Sequence, residues 1–465
     1  MSTKPPGGTR DFLPDEIRRR EYVVGIVRDV YERYGFEPLE TPAFENIETL
    51  LGKYGEESNK LIFKILRRGE HEASGEADLA LRYDLTVPLA RVVAQYQNEL
   101  PKFFKRYQIQ PVWRADRPAR GRLREFYQCD IDSIGSTSPV IEAEQIAAVA
   151  EVFQKLEFRD FRILLNHRRI LTGLLAIAGI PPSWHETALV ALDKRDKIGE
   201  KGVAEEFSER GIDPKSATNL FTMLREIYMP GFDKPSGMVN TDRFNSLNSY
   251  LGSTEYGSAV ENLREILTLV KPTSAVDRVL VDPRLARGLS YYTGAIMEIA
   301  VPDLAGSLGG GGRYDNLIGM FLGRDVPACG FSLGLERIIV VMSERNMFPP
   351  TAVRGAVDVM VTIWNEEARG EALALASELR HPGLRVEVYP EADKLGKQVK
   401  YASSRNVPFV AILGDEERAR GEVAIKDLRS GEQRAMRRAD VGQFVRARLN
   451  AGPTIAGEPR EPREA

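Results

Sequence analysis

The sequence has little of several residue types and patterns on which whole protein classes depend. It contains two cysteines, Cys129 and Cys329, which lie far apart without a C-x-x-C spacing, and only four histidines. This excludes a disulfide framework and leaves no zinc-ligand motif. No run approaches the roughly 18 apolar residues of a membrane helix, and the first residues lack the apolar stretch of a signal peptide. We therefore expect a cytoplasmic protein with no membrane partner.

An excess of charge of either sign is also missing. Lysine and arginine number 64, and aspartate and glutamate number 67, which gives a formal net charge of −3. Because bulk positive charge is absent, any nucleic-acid partner has to be met by local basic patches. The 465 residues suffice for about three domains, each with a substantial core.

Charge and pattern are concentrated in residues 106–132, where two apolar runs flank a polar middle that contains a proline and a glycine. This pattern predicts two strands joined by a long basic loop. Five arginines crowd into the middle: Arg114, Arg117, Arg120, Arg122 and Arg124. Such a loop is either solvated or grips a polyanion through its guanidinium groups. Gln128, Asp130 and Asp132 alternate on the second strand, so their side chains share one face.

Two patterns precede this hairpin. An amphipathic helix is predicted from Pro14 to about Tyr34, followed by an extended segment that ends at Pro42. Residues 79–88 predict a short strand that carries Asp84 and Thr86 on the same side. The alternative is a capping pair, because aspartate and threonine commonly begin helices and a helical pattern follows.

Residues 181–270 predict an inserted helical subdomain, and three further segments follow it. In residues 286–299, Arg287 stands beside a glycine and before Tyr291 and Tyr292, which indicates either a ligand site or a strand edge with packed tyrosines. Four consecutive glycines within residues 306–321 are typical of a flexible linker or of a backbone that closely approaches a ligand. Residues 328–345 predict a strand that turns into a helix, with Arg337 in a first turn that favours anions.

The C-terminal part has a different texture. Residues 346–355 form a linker, and strands alternate with helices from residue 356 to residue 449, which predicts a small, mostly parallel sheet. One predicted helix and its end carry four basic residues, which either contact RNA or form a solvated face: Lys394, Lys397, Lys400 and Arg405. The tail, residues 450–465, is rich in proline, glycine and glutamate, and we expect it to be disordered.

Several segments resemble one enzyme family. Residues 106–132 look like motif 2 of the class II aminoacyl-tRNA synthetases, residues 330–337 look like motif 3, and the helix and strand that end at Pro42 resemble motif 1. The segments RGLSYYTG, GGGGRYDNLIG, LRYDLTVP and FYQCDID are similar to the signature segments of histidyl-tRNA synthetases. The resemblance implies a mixed α/β (α+β) fold. It consists of an antiparallel-sheet catalytic domain, residues 1–345, with the helical insertion at about 181–270, and a small α/β anticodon-binding domain, residues 356–449.

The function implied by the resemblance is a two-step ligation. L-histidine and ATP, with Mg²⁺, give histidyl adenylate, and the histidyl group passes to the 3′ end of tRNA(His). The family also implies a homodimer. The alternative is a synthetase-like regulatory subunit of ATP phosphoribosyltransferase, which is catalytically inactive.

Roles for individual residues follow from the same resemblance. It implies three catalytic arginines, Arg114, Arg287 and Arg337. It implies that histidine is bound by Asp84, Thr86, Arg114, Gln128, Asp132, Arg287, Tyr291 and Tyr292. It implies that ATP is bound by Arg114, Asp116, Arg122, Phe126 and Arg337, and it assigns no metal ligand to the protein.

Two positions depart from the family pattern. Ser290 stands where an aspartate is usual, so no role is assigned to it. Ala119 occupies a place where some relatives have a glutamine that reads the tRNA, and Arg120 or Arg122 is the expected substitute for that contact.

Overall fold

The computed structural model describes residues 2–52, 59–69, 74–228, 234–287, 291–304, 306–350, 352 and 355–450. Ser290 and the tail beyond residue 450 lie outside the described residues. The chain divides into two compact units, Met1–Phe348 and Pro349–Ala465. Within the described ranges, every helix is too short or too polar to cross a membrane.

The first unit combines helices with strands throughout its length. Its described helices are α1 (Pro14–Arg33), α2 (Ile47–Leu50), α3 (Thr86–Gln95), α4 (Val140–Lys155), α5 (Arg168–Ile177), α6 (His185–Asp193), α7 (Arg195–Glu209), α8 (Pro214–Ile227), α9 (Ser236–Leu251), α10 (Gly257–Val270), α11 (Gly319–Leu322) and α12 (Leu335–Glu344). Its described strands are β1 (Glu37–Pro38), β2 (Phe44–Asn46), β3 (Lys64–Leu66), β4 (Ala77–Leu81), β5 (Phe104–Trp113), β6 (Glu125–Ile134), β7 (Arg162–His167), β8 (Val279–Val281), β9 (Ala295–Ala300), β10 (Gly309–Arg313) and β11 (Ala328–Gly334).

Eight of these strands form one sheet in the order β1-β5-β6-β11-β10-β9-β7-β8. The six central strands are antiparallel, whereas β1 and β8 join the two edges in parallel. Strands β2, β4 and β3 form a separate small antiparallel sheet. The predicted antiparallel catalytic fold and the predicted β5–β6 hairpin are confirmed.

Helices cover one face of the large sheet because alternate residues of its strands are apolar. Cys129 and Ile131 of β6 and Phe331 of β11 are buried there, and α1 and α12 pack against β6. The Tyr31 hydroxyl of α1 donates to the Cys129 carbonyl oxygen over 3.1 Å. The other face is therefore the one left to line a site.

Helix α1 follows the sequence prediction closely. Pro14 stands at its first position, where a missing N–H costs nothing. Its buried residues Val23, Val27, Val30 and Tyr31 recur at helical spacing and join the core beneath the sheet. Gly35, with φ of +75°, ends the helix in a backbone conformation that glycine adopts without strain.

Of the two alternatives for this segment, the strand is wrong, because it ends at Leu81, before Asp84 and Thr86. Thr86 instead begins α3, and the Asp84 carboxylate accepts the Val87 N–H over 3.0 Å. The capping alternative is confirmed, because a carboxylate that satisfies a free N–H at a helix start outweighs a short alternating pattern.

In the described part of residues 181–270 the chain is helical, as predicted, and forms α6 to α10. Buried residues of these helices, among them Leu189, Phe207, Leu220 and Leu263, belong to the same core as the large sheet. Their packing brings α6 and the start of α7 to the rim of the uncovered sheet face.

The second unit is a five-stranded sheet with helices. Its described elements are β12 (Val359–Val361), α13 (Arg369–Arg380), β13 (Val386–Val388), α14 (Leu395–Ser404), β14 (Phe409–Ile412), α15 (Asp415–Arg420), β15 (Glu422–Asp427), β16 (Gln433–Arg437) and α16 (Val441–Asn450). The strand order is β13-β12-β14-β15-β16, with the first three strands parallel and the last two antiparallel. The predicted alternation is confirmed, whereas the short helix α15 was not anticipated.

Candidate active site

A cavity of about 1090 Å³ opens on the uncovered face of the large sheet. Its floor is formed by β6, β9, β10 and β11, and its walls by the loop before α3 and the loop between β5 and β6. Helices α6 and α7 supply the remaining wall. The cavity is large enough for an amino acid and a nucleotide together.

The floor takes its chemistry from strand register. Asp132 lies opposite Arg106 of β5 and Gly330 of β11, and two residues earlier Asp130 lies opposite Ser332. Paired residues share a face, so one surface of the central strands is lined by polar side chains and glycines. The alternation of polar residues predicted for β6 is confirmed, and it faces a cavity rather than solvent.

The glycines on this floor make room for functional side chains. A Cβ atom on Gly330 would overlap Oδ1 of Asp132, and one on Gly310 would overlap the guanidinium of Arg287. The linker interpretation of the four glycines is therefore wrong, because residues 309–313 form the central strand β10. The close approach that the structure shows is to side chains that cross from neighbouring elements, and approach to a ligand stays a prediction.

Asp132 is held at the deepest part of the floor. Its Oδ2 lies 2.7 Å from the Arg106 guanidinium, and its Oδ1 accepts a hydrogen bond from the Tyr314 hydroxyl. Both Asp132 and Arg106 are almost completely buried. Burial raises the pKa of Asp132 to about 6, although Arg106 and Tyr314 favour its charged form.

A wall of tyrosines stands beside this carboxylate. The Tyr291 and Tyr292 rings are 4.9 Å apart between centroids, and Tyr291 meets Tyr314 edge to face at 5.9 Å. Burial raises the pKa of Tyr291 well above its usual range, although the Thr86 side chain acts to lower it. The hydroxyl groups therefore stay protonated and can act as donors at neutral pH.

Arg114 extends from the end of β5 into the cavity. Its Nε donates to the Tyr83 carbonyl oxygen over 3.0 Å, and its guanidinium lies over the rings of Tyr83, at 4.2 Å, and Phe126, at 5.2 Å. These contacts hold the charge in one orientation through a carbonyl oxygen and two aromatic rings, while Asp84 and Asp116 act on it electrostatically. The arrangement leaves guanidinium N–H groups for an anion.

Other arginines approach the same region. Burial lowers the pKa of Arg337, and the positive charges of Arg122, Arg114 and Arg287 lower it further. Within the described part of the chain, two of these arginines have carboxylate partners: Arg287, whose Nη1 lies 3.1 Å from Glu298, and Arg122, 2.8 Å from Asp116. Four clustered guanidinium groups repel one another, so an anion among them is strongly favoured.

The loop between β5 and β6 faces the cavity and also contacts other parts of the chain. Arg120 donates to Glu344 of α12 over 2.9 Å in an exposed ion pair, and a second contact joins the same two side chains. Ala119 and Arg122 form a bridge that turns the loop back on itself. Arg120 and Arg122, the arginines expected to replace the tRNA contact, therefore both have partners within the protein.

All the expected site residues line this one cavity: Asp84, Thr86, Arg114, Asp116, Arg122, Phe126, Gln128, Asp132, Arg287, Tyr291, Tyr292 and Arg337. Sequence reasoning missed Arg106 and Tyr314, which hold Asp132, because register and a contact 182 residues apart are invisible in a pattern. It also missed Lys194 and Lys197, which line the cavity from the helical insertion. For Asp130, the polar alternation along β6 was the sequence signal that placed it on the same face as the site residues.

The described residues contain no group of three or more His, Cys, Asp or Glu side chains that could hold a metal ion. Single carboxylates do reach the cavity, among them Asp116 and Glu298. This donor set fits Mg²⁺ that arrives with a nucleotide, since Mg²⁺ commonly binds one or two carboxylates, phosphate oxygens and water.

Comparison with known sequences identifies the family. The sequence model described as histidyl-tRNA synthetase matches residues 8–338, and the anticodon binding domain model matches residues 358–448. A histidine–tRNA ligase from Porphyromonas gingivalis is 42% identical over 460 residues, covering 95% of this chain and 98% of the relative. The chain belongs to the histidyl-tRNA synthetase family. The predictions of this family and of an ATP-dependent histidine–tRNA ligase are thereby confirmed.

Solved structures agree with the class II synthetase fold. A histidyl-tRNA synthetase from Nostoc sp. PCC 7120 is similar with a TM-score of 0.79 and 32% identity, over 96% of this chain and 99% of that one. A Bacillus halodurans protein described as an ATP phosphoribosyltransferase regulatory subunit/histidyl-tRNA synthetase has a TM-score of 0.69 and 21% identity, over 87% of this chain and 98% of that one. At that identity the second similarity establishes a shared fold and no shared activity.

Proposed function

We propose that the cavity on the large sheet is where L-histidine reacts with ATP before the histidyl group passes to tRNA(His). In the first step a carboxylate oxygen of histidine bonds to the α-phosphorus of ATP. The bond from that phosphorus to the oxygen bridging to the β-phosphate breaks, and pyrophosphate leaves. In the second step a ribose hydroxyl oxygen of the tRNA bonds to the histidyl carbonyl carbon. AMP leaves with its oxygen, and the hydroxyl proton is released.

The observation that carries this proposal is the meeting of two opposite environments in one cavity. Arg114, Arg287 and Arg337 bring positive charge to one part of it, and Gln128 and Asp132 bring oxygen acceptors to another. A nucleotide triphosphate requires the first environment, and an α-ammonium group with an imidazole requires the second. The reacting carboxylate and phosphate would then meet between them.

The arginines have the charges that this reaction needs. An anionic carboxylate has to approach an anionic phosphate, so the cations must neutralise the charge that develops at phosphorus. In this proposal Arg114 and Arg287 contact the α-phosphate from two sides. Arg337 lies against the adenine ring opposite Phe126, and Asp116 holds Arg122 for the outer phosphates.

Histidine is recognised by acceptors and donors on the floor and wall. Asp84, Thr86 and Gln128 accept the α-ammonium group. Asp132 and the Tyr292 hydroxyl bond the two imidazole nitrogens, while Tyr291 shapes the wall. An analogue that lacks a ring nitrogen would leave one of these buried polar groups unpaired, and such sites discriminate strongly on that basis.

Magnesium enters this proposal with ATP. Bound between phosphate oxygens, the ion would neutralise phosphate charge and orient the pyrophosphate leaving group. Glu298 is the cavity carboxylate suited to hold it or its water shell, although Glu298 also pairs with Arg287 at 3.1 Å. The protein's own arginines carry the remaining neutralisation.

We further propose the boundaries and the assembly. Residues 1–345 form the catalytic domain with its insertion at about 181–270, residues 346–355 are the linker, and residues 356–449 bind the anticodon region of tRNA(His). The chain acts as a cytoplasmic homodimer through the segment that resembles motif 1. Light scattering at micromolar concentration should give twice the chain mass of 52.0 kDa, and a monomer mass would refute the dimer.

The decisive experiment for the reaction is amino-acid-dependent pyrophosphate exchange with ATP. Histidine should support exchange, and threonine, proline and glycine should not. Exchange that no amino acid supports would favour the regulatory alternative. Exchange with one of the other three amino acids would refute the proposed recognition of imidazole.

A further inference from the structure

A buried ion pair joins helix α1 to the first turn of α12. Nη1 of Arg20 in α1 donates to Oε1 of Glu336 in α12 over 2.8 Å. Arg20 is 7% exposed and Glu336 is 5% exposed. Taking two charges out of water is costly, and the family resemblance gave a role to neither residue. The contacts around the pair show what it holds in place.

The second oxygen of Glu336 reaches strand β6. Its Oε2 accepts the Tyr127 N–H over 3.0 Å. Strand β11 stops at Gly334, which lies opposite Gln128, so the ladder between β6 and β11 ends one residue short of Tyr127. The carboxylate therefore takes the place of the next strand partner and satisfies a backbone donor beyond the end of the ladder.

This carboxylate connects the two residues that flank the adenine ring in the proposed function. Glu336 directly precedes Arg337 in α12, and Tyr127 directly follows Phe126 in β6. Each flanking residue is thus the covalent neighbour of a group in the same hydrogen bond. A shift of the Glu336 carboxylate would therefore move the Arg337 side chain and the Phe126 ring relative to each other.

Arg20 holds this carboxylate from the other side. Its guanidinium carbon lies 4.1 Å from the centre of the Phe12 ring and 4.9 Å from the centre of the Tyr127 ring. Burial raises the pKa of Glu336, and the charge and hydrogen bond of Arg20 act to lower it. Arg20 therefore favours the ionised carboxylate, which is the stronger acceptor for the Tyr127 N–H.

We propose that Arg20 and Glu336 are positioning residues for ATP. Their ion pair fixes the width of the slot that the adenine ring occupies between Phe126 and Arg337. This inference rests on the proposed binding of ATP in this cavity, and it adds the cause of the spacing that the base requires. A cation is attracted to the face of a flat ring only within about 6 Å, so a slot that widens loses this contact. The outer phosphates meet Arg122 of the loop between β5 and β6 and do not depend on that width.

The test is Glu336→Gln in the full-length protein, read with two partial ligands that compete with ATP in histidine-dependent pyrophosphate exchange. Adenosine carries the base without the phosphates, and tripolyphosphate carries the phosphates without the base. We expect the KM for ATP and the inhibition constant of adenosine to rise about tenfold, the size of one lost contact between a cation and an aromatic ring. The inhibition constant of tripolyphosphate and the KM for histidine should change less than about twofold, because neither ligand occupies the slot.

The double variant Arg20→Met with Glu336→Leu separates positioning from stability. An apolar pair leaves no buried charge without a partner, so the unfolding temperature should recover from the fall that Glu336→Gln causes. Adenosine binding should stay weakened, because leucine cannot accept the Tyr127 N–H. Recovery of the adenosine inhibition constant together with stability would refute the proposal. Should Glu336→Gln fail to fold, the double variant carries the same prediction for the same ligands.

Glu142→Gln provides the matched control, because it breaks another buried ion pair. Glu142 lies 2.6 Å from Arg313 Nε, and these two residues are 1% and 7% exposed. Neither is among the described residues that line the cavity. The variant should lower the unfolding temperature and leave the adenosine inhibition constant unchanged. An equal rise of that constant in Glu142→Gln and Glu336→Gln would mean that any loss of stability weakens the slot, and would overturn the inference.

The remaining outcomes separate this inference from the proposed function. If Phe126→Ala leaves the adenosine inhibition constant unchanged, the adenine ring does not lie in this slot, and the inference falls with the proposed placement of ATP. If Phe126→Ala raises that constant and Glu336→Gln does not, only the inference is refuted.

Discussion

Asp132 and Arg106 face each other across the β5–β6 hairpin, with 2.7 Å between carboxylate and guanidinium and both side chains almost completely buried. The pair sits under the tyrosine wall, and its carboxylate is also bonded by Tyr314. One polar network therefore holds the floor of the cavity together and presents its carboxylate to a ligand. Fold and recognition depend on the same two charges.

Replacing Asp132 by alanine should abolish histidine activation and leave ATP binding largely intact. The carboxylate is the proposed partner of an imidazole nitrogen, whereas the arginines that meet ATP belong to other elements. Histidine-dependent pyrophosphate exchange should fall at least roughly 100-fold, and the dissociation constant of ATP from equilibrium binding should change less than about threefold. Exchange near the wild-type rate would refute the role of Asp132.

Replacing Arg106 by methionine should destabilise the protein by roughly 3–5 kcal/mol, because it leaves a buried carboxylate without its cation. Chemical denaturation of the first unit measures the loss. The double variant Arg106→Met with Asp132→Leu should recover most of that stability, since an apolar pair needs no counter-charge. A single variant as stable as the wild type would mean that the ion pair contributes nothing to the fold.

Gly330→Ala should lower both stability and histidine affinity. The added Cβ would overlap Asp132 Oδ1, so the carboxylate or the strand has to move. Gly334→Ala on the same strand is the matched control, because the nearest atom to its Cβ is the Leu308 carbonyl oxygen at 3.5 Å. Thermal unfolding should show a drop of several degrees for Gly330→Ala, about 1–3 kcal/mol, and a smaller one for Gly334→Ala. Equal shifts would contradict this.

Arg337→Gln should raise the KM for ATP by roughly 10- to 100-fold while the KM for histidine stays near its wild-type value. The side chain is anchored to the Ser307 carbonyl oxygen at 2.5 Å and lies among like charges that an anion would neutralise. Arg120→Gln provides the comparison, since Arg120 forms an exposed ion pair with Glu344. An unchanged KM for ATP in the Arg337 variant would remove Arg337 from the nucleotide site.

Asp130→Asn should stabilise the fold at alkaline pH and have little effect at acidic pH. Burial raises the pKa of Asp130 from 3.8 to about 7, so its stabilising contribution is fully present below about pH 4 and is lost as the pH rises to about 7. An asparagine avoids that loss, which is on the order of a few kcal/mol. Unfolding temperatures of both proteins between pH 4 and pH 8 should converge at the acidic end. Parallel curves would refute the raised pKa.

Local patterns predicted much of the fold. Helix α1, the β5–β6 hairpin and the alternation in the second unit could each be predicted because the signal lies within a few neighbouring residues. The strand alternative for the segment with Asp84 and Thr86 was wrong because the local signal there was too short to decide. Such a short segment fits both an alternating strand and a helix cap, and in the structure the Asp84 carboxylate accepts the Val87 N–H as a cap does.

The chemistry of the site divides in the same way. Motif residues such as Arg114, Gln128 and Arg337 carry a recognisable resemblance, and the cavity does bring them together. The residues that hold them in place were given no role by that resemblance. Arg106 becomes the partner of Asp132 through strand register, and Tyr314 reaches Asp132 from 182 positions away.

By itself, then, the sequence determined the family, the class of fold and the residue types at the cavity. Each is encoded in short segments, within which the covalent backbone fixes the spacing of the residues. Only the tertiary structure decided which groups pair. The pairing of Asp132 with Arg106, the burial that shifts the pKa of Asp130 and Asp132, and the overlap that demands glycine at Gly330 all depend on distances between strands. Those distances arise from the packing of the whole sheet, and they cannot be predicted from the periodicity along one strand.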